Sequence, residues 1–234
     1  LRIFFLDVGQ GDAILIQGPS GNTALVDGGG MPGFYGQGYD PGKDTVLPFL
    51  RRRGINSVDL IINSHPDEDH LDGLEDVLEE MAVGRIMTPP VEGWEEEYKT
   101  FLTAADRIGV PHTVLAKGAQ IKFDRQVVIR VLAPDSADKS LGSNNASLVL
   151  QVCHGSNRFL LLGDIETEGI DKLLANCSDL ESSVIKIPHH GARGSYNENL
   201  YRESNAAVAV ISVGQNNTFG HPSQGVVDYW LDRG

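Results

Sequence analysis

The densest group of chemically useful side chains is the segment HPDEDH at residues 65–70. His65, Asp67, Asp69 and His70 place four groups that can bind a metal ion directly after a short apolar run. A loop that follows a buried strand can curl, so ligands two to five residues apart can converge on one point. Imidazole and carboxylate ligands suit divalent transition metals. Four ligands are many for one ion with an open catalytic position, which favours two ions about 3.5–4 Å apart.

Apolar runs and end signals indicate which elements position this segment. Apolar runs predict strands at 2–9, 12–17, 23–26, 58–63, 110–115, 127–132, 147–153, 158–162, 184–187 and 207–213. Helical spacing and end signals predict helices at 44–53, 71–81, 94–108, 166–174 and 223–232. Residues 31–43 are rich in Gly, Pro and Tyr and predict a long loop, which in compact domains is often functional.

The two halves of the chain, about 1–116 and 117–234, look like a pseudo-repeat. Each half has strands, a hairpin, an acid just after a strand, and helices, and no linker separates the halves. Two mixed sheets face to face, with helices outside, would cover the apolar strands on both sides. The pattern therefore predicts one α/β domain over residues 1–234, a four-layer αββα sandwich.

Composition is ordinary for a globular protein, but the charge is not that of a nucleic-acid binder. The 234 residues carry 19 basic and 32 acidic side chains, a formal net charge of −13. This sign suits a small-molecule enzyme or a protein that handles cations. No apolar run reaches the roughly 18 residues of a membrane helix. The chain opens on a strand-like run without Met or a signal peptide, so we interpret it as a piece of a longer protein.

The spacing His-x-Asp-x-Asp-His, followed by Gly73, resembles the His-x-His-x-Asp-His signature of the metallo-β-lactamase fold. Later parts of that family's pattern match Asp164 after a strand, a further histidine at His189 or His190, and an upstream Asp-Gly turn at 26–29. The resemblance spans nearly the whole chain. It implies the metallo-β-lactamase fold and a hydrolase with two metal ions.

The resemblance also implies a ligand set. It consists of His65, Asp67, Asp69, His70, Asp164 and His189. We expect Asp164 to bridge the two ions. Neighbours on a continuing strand point to opposite faces, so only one of His189 and His190 is expected to bind metal, and we favour His189. The other would support the ligands or contact phosphate.

Two departures from the family pattern affect the choice of metal. Asp67 replaces the family's second histidine, and a carboxylate moves the preference from Zn²⁺ towards Mn²⁺ or Mg²⁺. We therefore expect two divalent ions, with Mn²⁺ favoured and Zn²⁺ or Mg²⁺ as alternatives. No histidine between His112 and His154 supplies the usual middle ligand. Asn144 or Asn145 stands roughly there, and an amide oxygen would bind only weakly.

Four motifs narrow the resemblance further. They are DVGQGDA at 7–13, SHPDEDH at 64–70, PHHG at 188–191 and GQNNTFGHP at 214–222. Together they look like the C-terminal domain of ComEC-type DNA-uptake channels and close stand-alone relatives. This implies DNA, in single-stranded form or as the non-transported strand, and a parent transmembrane channel domain as partners. It implies a soluble domain at the extracytoplasmic face of the bacterial membrane, or a stand-alone soluble protein.

The remaining candidates are residues that would act on the substrate. We expect catalytic roles for Asp69, His190 and His221, the last as a proton donor or phosphate ligand in a Gly-His-Pro loop. Candidate substrate contacts are Lys186, Arg193, Asn145, Gln10 and Asp12. Gln10 and Asp12 could equally form a hydrogen-bonded turn, and His221 could equally stabilise its loop.

Three functions remain open from the residues alone. The first is a DNA phosphodiesterase that degrades the strand not taken up. The second is a small-molecule hydrolase of the same fold, acting on an ester, phosphoester or lactone. The third is a binding module without catalysis, suggested by the weak middle ligand. An open cleft with Lys186 and Arg193 at its rim would favour the first, and a closed apolar pocket the second.

Overall fold

The computed structural model describes residues 1–30, 38–90, 93–94, 96–136 and 141–233. Two compact units, Leu1–Leu115 and Ala116–Gly234, each contain one six-stranded mixed sheet. The predicted α/β class with mixed sheets is confirmed. The prediction of a single domain stays a prediction.

The first unit is built on the sheet order β1-β2-β3-β5-β7-β8. Its strands are β1 (Arg2–Phe5), β2 (Ile14–Gln17), β3 (Thr23–Val26), β4 (Ser57–Val58), β5 (Leu60–Ile62), β6 (Ala82–Val83), β7 (Ile86–Thr88) and β8 (His112–Val114). Its helices are a π-helical turn (Gly42–Val46), α1 (Leu47–Arg52), α2 (Glu68–Glu80) and α3 (Lys99–Ile108). β1, β2 and β3 pair antiparallel, and β3, β5, β7 and β8 pair parallel.

The core of this unit forms where α2 covers the sheet. Leu71, Leu74 and Leu78 lie on one face of α2 at helical spacing and are buried with Leu25 and Ile61 of the sheet. Full burial of each such side chain contributes roughly 1.5–3 kcal/mol. This packing fixes the first turn of α2, which carries the end of the HPDEDH segment.

The second unit has the sheet order β14-β13-β12-β11-β10-β9. Its strands are β9 (Gln120–Asp124), β10 (Val127–Ala133), β11 (Val149–His154), β12 (Asn157–Leu161), β13 (Val184–Lys186) and β14 (Val208–Val210). Its helices are α4 (Thr167–Asn176), α5 (Glu198–Ser204) and α6 (Gln224–Leu231), with 3₁₀ turns at Asn144–Ala146, Pro188–Gly191 and Arg193–Ser195. β9 to β12 pair antiparallel, and β12, β13 and β14 pair parallel. Ile170 and Leu173 of α4 are buried against Leu160 and Ile185.

Both sheets therefore change from antiparallel to parallel pairing, and the candidate ligands follow the first parallel strands. In the first unit, Asp27 follows β3 and the HPDEDH segment follows β5. In the second, Asp164 follows β12, and His189 follows β13. The carboxyl ends of parallel strands share one edge of a sheet, which is where ligands of open α/β sheets bind. The topology thus gathers metal-capable side chains at one edge of each sheet.

Several element predictions need correction. The predicted strand 58–63 is split, because β4 leaves the large sheet to pair with β6. The helix predicted from Asp44 begins earlier, and Asp44 accepts a hydrogen bond from the Asp40 backbone at 2.8 Å instead of capping a helix. The helix predicted at 94–108 begins at Lys99. β7, β9 and α5 were not predicted. Residues 31–37 of the predicted loop 31–43 lie outside the described residues.

No helix in the described part of the chain combines the length and the apolarity needed to cross a membrane.

Candidate metal centre

The HPDEDH segment joins β5 to α2, so its residues lie between a buried strand end and a helix N-terminus. His65 and His70 are fully buried, with ring centroids 4.2 Å apart. Asp67 immediately precedes α2, and its Oδ2 lies 3.6 Å from His65 Nε2. Glu68 is exposed, as expected for the one acid assigned no ligand role. The structure therefore brings both histidines and Asp67 of this segment together.

Asp27 accepts most of the side-chain hydrogen bonds in the first unit's group of metal-capable residues. It is buried, with a positive φ of 58° directly after β3. Its carboxylate accepts hydrogen bonds from Asn63 Nδ2 (3.0 Å), Ser64 N (2.7 Å), Ser64 Oγ (2.7 Å) and His70 Nδ1 (2.9 Å). A buried carboxylate with this many donors holds the neighbouring groups in one arrangement.

These hydrogen bonds fix which nitrogen of each histidine can bind a metal. His70 Nδ1 donates to Asp27, so Nε2 carries the lone pair. Ser64 Oγ donates its proton to Asp27 and therefore accepts from His65 Nδ1, at 2.9 Å. His65 Nε2 is then a buried lone pair that makes no hydrogen bond. Metal-binding histidines are typically oriented in this way by a second partner, so these residues fit a metal ion.

Asp12 and Asp69 belong to the same group of side chains. Asp12, Asp27 and His70 each offer an atom within 4.8 Å of the others, and a carboxylate oxygen of Asp69 lies within 4.8 Å of a His70 ring nitrogen. Asp12 is almost fully buried, and its backbone N–H donates to the Asp69 carbonyl at 3.3 Å. It was expected to contact substrate and instead lies among metal-capable groups. Gln10 is also buried.

Glycines allow the backbones around this group to approach closely. A Cβ on Gly11 would overlap the backbone carbonyl of Asp69, and one on Gly30 would overlap that of Glu68. The loop before β2 and the turn after β3 thus both touch the first turn of α2. These contacts explain why glycine stands at positions 11 and 30 without invoking a ligand.

Tyr98 is linked to Asp27 through Asn63. Its hydroxyl donates to Asn63 Oδ1 at 2.6 Å, and Asn63 in turn donates to Asp27. Burial, together with the nearby Asp27 and Asp67, raises the pKa of Tyr98. The hydroxyl therefore stays protonated and remains a donor. No motif pointed to Tyr98 or Asn63, whereas Asp27 stood in a recognisable Asp-Gly turn.

In the second unit, the chain leaves β13 through a left-handed turn. His189 (φ 47°, ψ 49°), His190 (φ 53°, ψ 20°) and Gly191 (φ 80°) all have positive φ. Side chains with a Cβ rarely adopt this conformation, and such local strain clusters at functional sites. The turn directs both rings to Asp164: its Oδ2 lies 3.2 Å from His190 Nε2 and 3.8 Å from His189 Nε2. The expected alternation between faces is wrong here, because the strand has already ended.

His190 has the geometry of a metal ligand. Its Nδ1 donates to the Ser212 carbonyl at 3.0 Å, so a neutral ring presents the Nε2 lone pair to the Asp164 carboxylate. Two lone pairs at 3.2 Å repel each other unless a proton or a cation lies between them. His190 is 1% exposed, whereas the His189 side chain is 21% exposed. The geometry therefore favours His190 as the ligand, contrary to the sequence preference for His189.

His189 has a different neighbour, which the sequence did not point to. Its Nδ1 lies 3.1 Å from Glu166 Oε1, so the ring stands between the carboxylates of Glu166 and Asp164. Glu166 is two residues beyond Asp164 and directly precedes α4. From this position the Glu166 carboxyl group can help to orient the His189 ring beside Asp164.

Two expected substrate contacts are placed elsewhere. Asn145 Oδ1 accepts hydrogen bonds from the backbone of Glu166 and Gly169, both at 2.9 Å, and so caps the N-terminus of α4. Both lone pairs of that oxygen are used, which argues against Asn145 as a middle metal ligand, whereas its role as a substrate contact stays a prediction. Lys186 is 1% exposed, so it does not lie at an open rim. Arg193 is exposed and makes no ion pair with the described residues.

His221 lies beside the two histidines. Its ring centroid is 5.4 Å from that of His189 and 6.3 Å from that of His190, and it is stacked with His190 at 27°. The expected placement of His221 near the site is therefore found in this unit. The second unit gathers one buried carboxylate and three imidazoles, a set that can bind a cation and move a proton.

Comparison with known proteins places this geometry in a family. The sequence pattern of the family described as "Metallo-beta-lactamase superfamily" matches residues 6–215. "ComE operon protein 3" of Bacillus subtilis (strain 168) is 30% identical, with 97% of this chain and 30% of that protein covered. "Competence protein ComA" of Neisseria gonorrhoeae is 25% identical, with 94% and 28% covered. The chain thus spans less than a third of the length of these curated relatives.

A solved structure supports the same fold. The metallo-beta-lactamase fold protein YhfI from Bacillus subtilis superposes with a TM-score of 0.58 at 11% identity, covering 97% of this chain and 93% of its own. At this identity the likeness concerns the fold alone. Because the family pattern covers well over half of its length, the chain belongs to the metallo-beta-lactamase superfamily.

Proposed function

We propose that the chain is a metal-dependent phosphodiesterase that acts on DNA, and that it degrades the strand that is not transported during natural DNA uptake. The observation that carries the proposal is the buried His190–Asp164 pair. Its facing lone pairs repel each other unless a proton or a cation lies between them, and we propose that a metal ion takes this place. The relative named as a competence protein, and the resemblance of the four motifs to DNA-uptake channels, support DNA as the substrate class.

The proposed ligands are held by protein groups that already orient them. We propose two divalent ions on His65, Asp67, Asp69, His70 and Asp164, with His190 taking the place first given to His189. Asp12 is a further candidate beside His70. Mn²⁺ is favoured over Zn²⁺ because the carboxylate of Asp67 stands where the family pattern has a second histidine. When bound, such ions polarise a phosphoryl oxygen and make water acidic enough to attack at neutral pH.

The other residues act on the substrate. Exposed Arg193 binds a non-bridging phosphate oxygen through its guanidinium group. His221 donates a proton to the leaving oxygen, since its ring lies next to the rings of both His189 and His190. The carboxyl group of Glu166, whose Oε1 lies 3.1 Å from His189 Nδ1, gives that ring an acidic neighbour. In this proposal the chain lies at the extracytoplasmic face of the bacterial membrane, and the rest of a longer protein forms the transmembrane channel beside it.

The net charge of −13 favours a second candidate. A small-molecule ester, phosphoester or lactone has little charge to repel, and the same ligands would serve its hydrolysis. This candidate predicts turnover of small esters or lactones that exceeds any cleavage of DNA.

The test is a cleavage assay on the purified chain with Mn²⁺, Mg²⁺ or Zn²⁺ added separately. The substrates are end-labelled single- and double-stranded DNA, beside a panel of small esters, phosphoesters and lactones. The variants are Asp164→Asn, which removes the carboxylate with little change in shape, and His154→Ala. His154 ends β11 and is a matched histidine outside the site.

Three results decide between the candidates. DNA cleavage that needs metal, is lost in Asp164→Asn and persists in His154→Ala supports the nuclease. Turnover of small substrates alone favours the second candidate. Metal bound without turnover of any substrate contradicts both and leaves a binding module.

A further inference from the structure

Phe219 is one of the few large apolar side chains that the fold leaves exposed. It is 47% exposed and lies in the loop 214–221, between β14 and α6. Its ring stacks on His221, with centroids 5.6 Å apart and planes 24° from parallel. His221 is itself stacked with His190. Two successive ring contacts, His190 with His221 and His221 with Phe219, therefore lead from the buried Asp164–His190 pair to an exposed aromatic ring.

The loop that carries Phe219 is fixed by one side chain. Asn217 Oδ1 accepts from the backbone N–H groups of Phe219 and His221, both at 3.1 Å. Asn217 Nδ2 donates to the carbonyls of Gly214 (2.9 Å) and His221 (2.7 Å). All four hydrogen-bonding positions of this amide are used to hold the loop. An exposed aromatic ring on a fixed loop loses little freedom on binding, which makes it an efficient platform for a flat ligand.

We propose that Phe219 stacks on a nucleobase next to the phosphodiester bond that is cleaved, and that the substrate is therefore single-stranded nucleic acid. This inference rests on the proposed function. Every base has a π-face, so an aromatic platform holds single strands without sequence preference. In a duplex the bases are paired and already stacked, so they are not available to this ring.

The charge of the chain favours such a contact. A net charge of −13 weakens the long-range attraction of a polyanion, and of the two expected phosphate contacts near the histidines Lys186 is buried and only Arg193 is exposed. Stacking is independent of the sign of the protein charge. It supplies affinity that a basic nucleic-acid binder would obtain from lysines and arginines.

The test measures binding without catalysis. Fluorescence anisotropy follows a short labelled oligodeoxynucleotide in EDTA, so that cleavage does not interfere. Its counterparts are an abasic strand of the same length and a duplex of the same sequence. The protein variants are Phe219→Ala, Phe219→Trp and Leu231→Ala, the last an exposed apolar residue elsewhere in the same unit.

We expect Phe219→Ala to weaken binding of the single strand by about 5- to 100-fold, and Phe219→Trp and Leu231→Ala to leave it nearly unchanged. Binding of the abasic strand should not respond to any substitution at Phe219. Equal losses for the abasic strand or the duplex would overturn the inference, as would full binding by Phe219→Ala. Because binding is measured without metal, the result for Phe219 can be interpreted even if the cleavage assay shows that the chain is not a nuclease.

Discussion

At the scale of single residues, the site is defined by which nitrogen of each histidine is already occupied. His70 and His190 each use Nδ1 as a donor, to Asp27 and to the Ser212 carbonyl respectively. The sequence could indicate the ligand types through the HPDEDH segment. It could not indicate the second partners. Ser212 belongs to no motif, and Ser64, although part of the SHPDEDH motif, meets Asp27 only through the fold.

The two adjacent histidines give a prediction about metal binding. Asn tolerates positive φ, so His190→Asn and His189→Asn preserve the turn while removing the ring. We expect His190→Asn to lower metal affinity by well over 100-fold, because a ligand is lost. His189→Asn should lower it by only about 10- to 100-fold, as for a supporting group. Competition with a chromogenic chelator measures both.

If His189→Asn lowers metal affinity more than His190→Asn does, His189 is the metal ligand. The choice was open from the sequence because alternation along a strand is the only available guide to neighbouring side chains. Positive φ at two histidines in succession is rare, so the sequence does not predict the turn that overrides alternation.

At the scale of elements, helix and strand ends place the ligands, and glycines control how closely these ends meet. A Cβ on Gly30 would overlap the Glu68 carbonyl in the first turn of α2. We expect Gly30→Ala to lower the free energy of unfolding by about 1–3 kcal/mol and to lower metal affinity, because the displaced turn carries His70. Urea unfolding of the metal-free chain and chelator competition measure the two effects.

Gly225 provides the control for that substitution. It lies in α6, and a Cβ there would meet no atom within 4 Å. Gly225→Ala should raise stability by about 0.5–1 kcal/mol, since alanine favours a helix. If the two variants have the same free energy of unfolding, the backbone around Gly30 can accommodate a Cβ without destabilising the fold, and the prediction is wrong.

The acidic face of α2 gives a prediction about pH. Burial first, and then Glu79 and Asp76, raise the pKa of Glu75. The folded state therefore binds a proton at Glu75 more readily than the unfolded chain, and its charged form destabilises the fold at neutral pH. Glu75→Gln should unfold at a higher urea concentration than the parent at pH 7, and this gain should disappear below the unfolded pKa.

Glu80→Gln is the matched change on the same helix. Glu80 is exposed and pairs with Arg51 at 2.9 Å, so its loss should leave stability unchanged or slightly lower. A gain in Glu80→Gln equal to that in Glu75→Gln would point to the general negative charge of the chain, not to the surroundings of Glu75.

Element prediction succeeded where periodicity was long and failed where it was short. The apolar spacing 71, 74, 77, 78 identified α2, and the hairpin β11–β12 was marked by its turn. β7 has three residues, too few for a pattern, whereas β9 alternates polar and apolar residues over QIKFD, a strand signal that the prediction missed. Asn145 shows the reverse error, because an amide near the ligands proved to cap α4.

At the scale of the whole molecule, the net charge opposes the proposed substrate. Proteins that make 6–10 phosphate contacts lose roughly 10³- to 10⁵-fold in affinity between about 50 and 200 mM salt. With Arg193 as the exposed contact, we expect a loss of about threefold for single-stranded DNA, measured by anisotropy. A steep loss would reveal a basic surface elsewhere.

The hydrogen bonds behind the ligands bear on how the ions could be exchanged. Ser64, Asp27 and the Ser212 carbonyl belong to the protein, so the imidazoles keep their orientation whatever ion they face. In zinc fingers the fold itself depends on the ion, and chelators denature them. Here a chelator should strip the ions while cooperative unfolding persists. The chain could then be refilled with a different ion, so that cellular supply would choose the working metal.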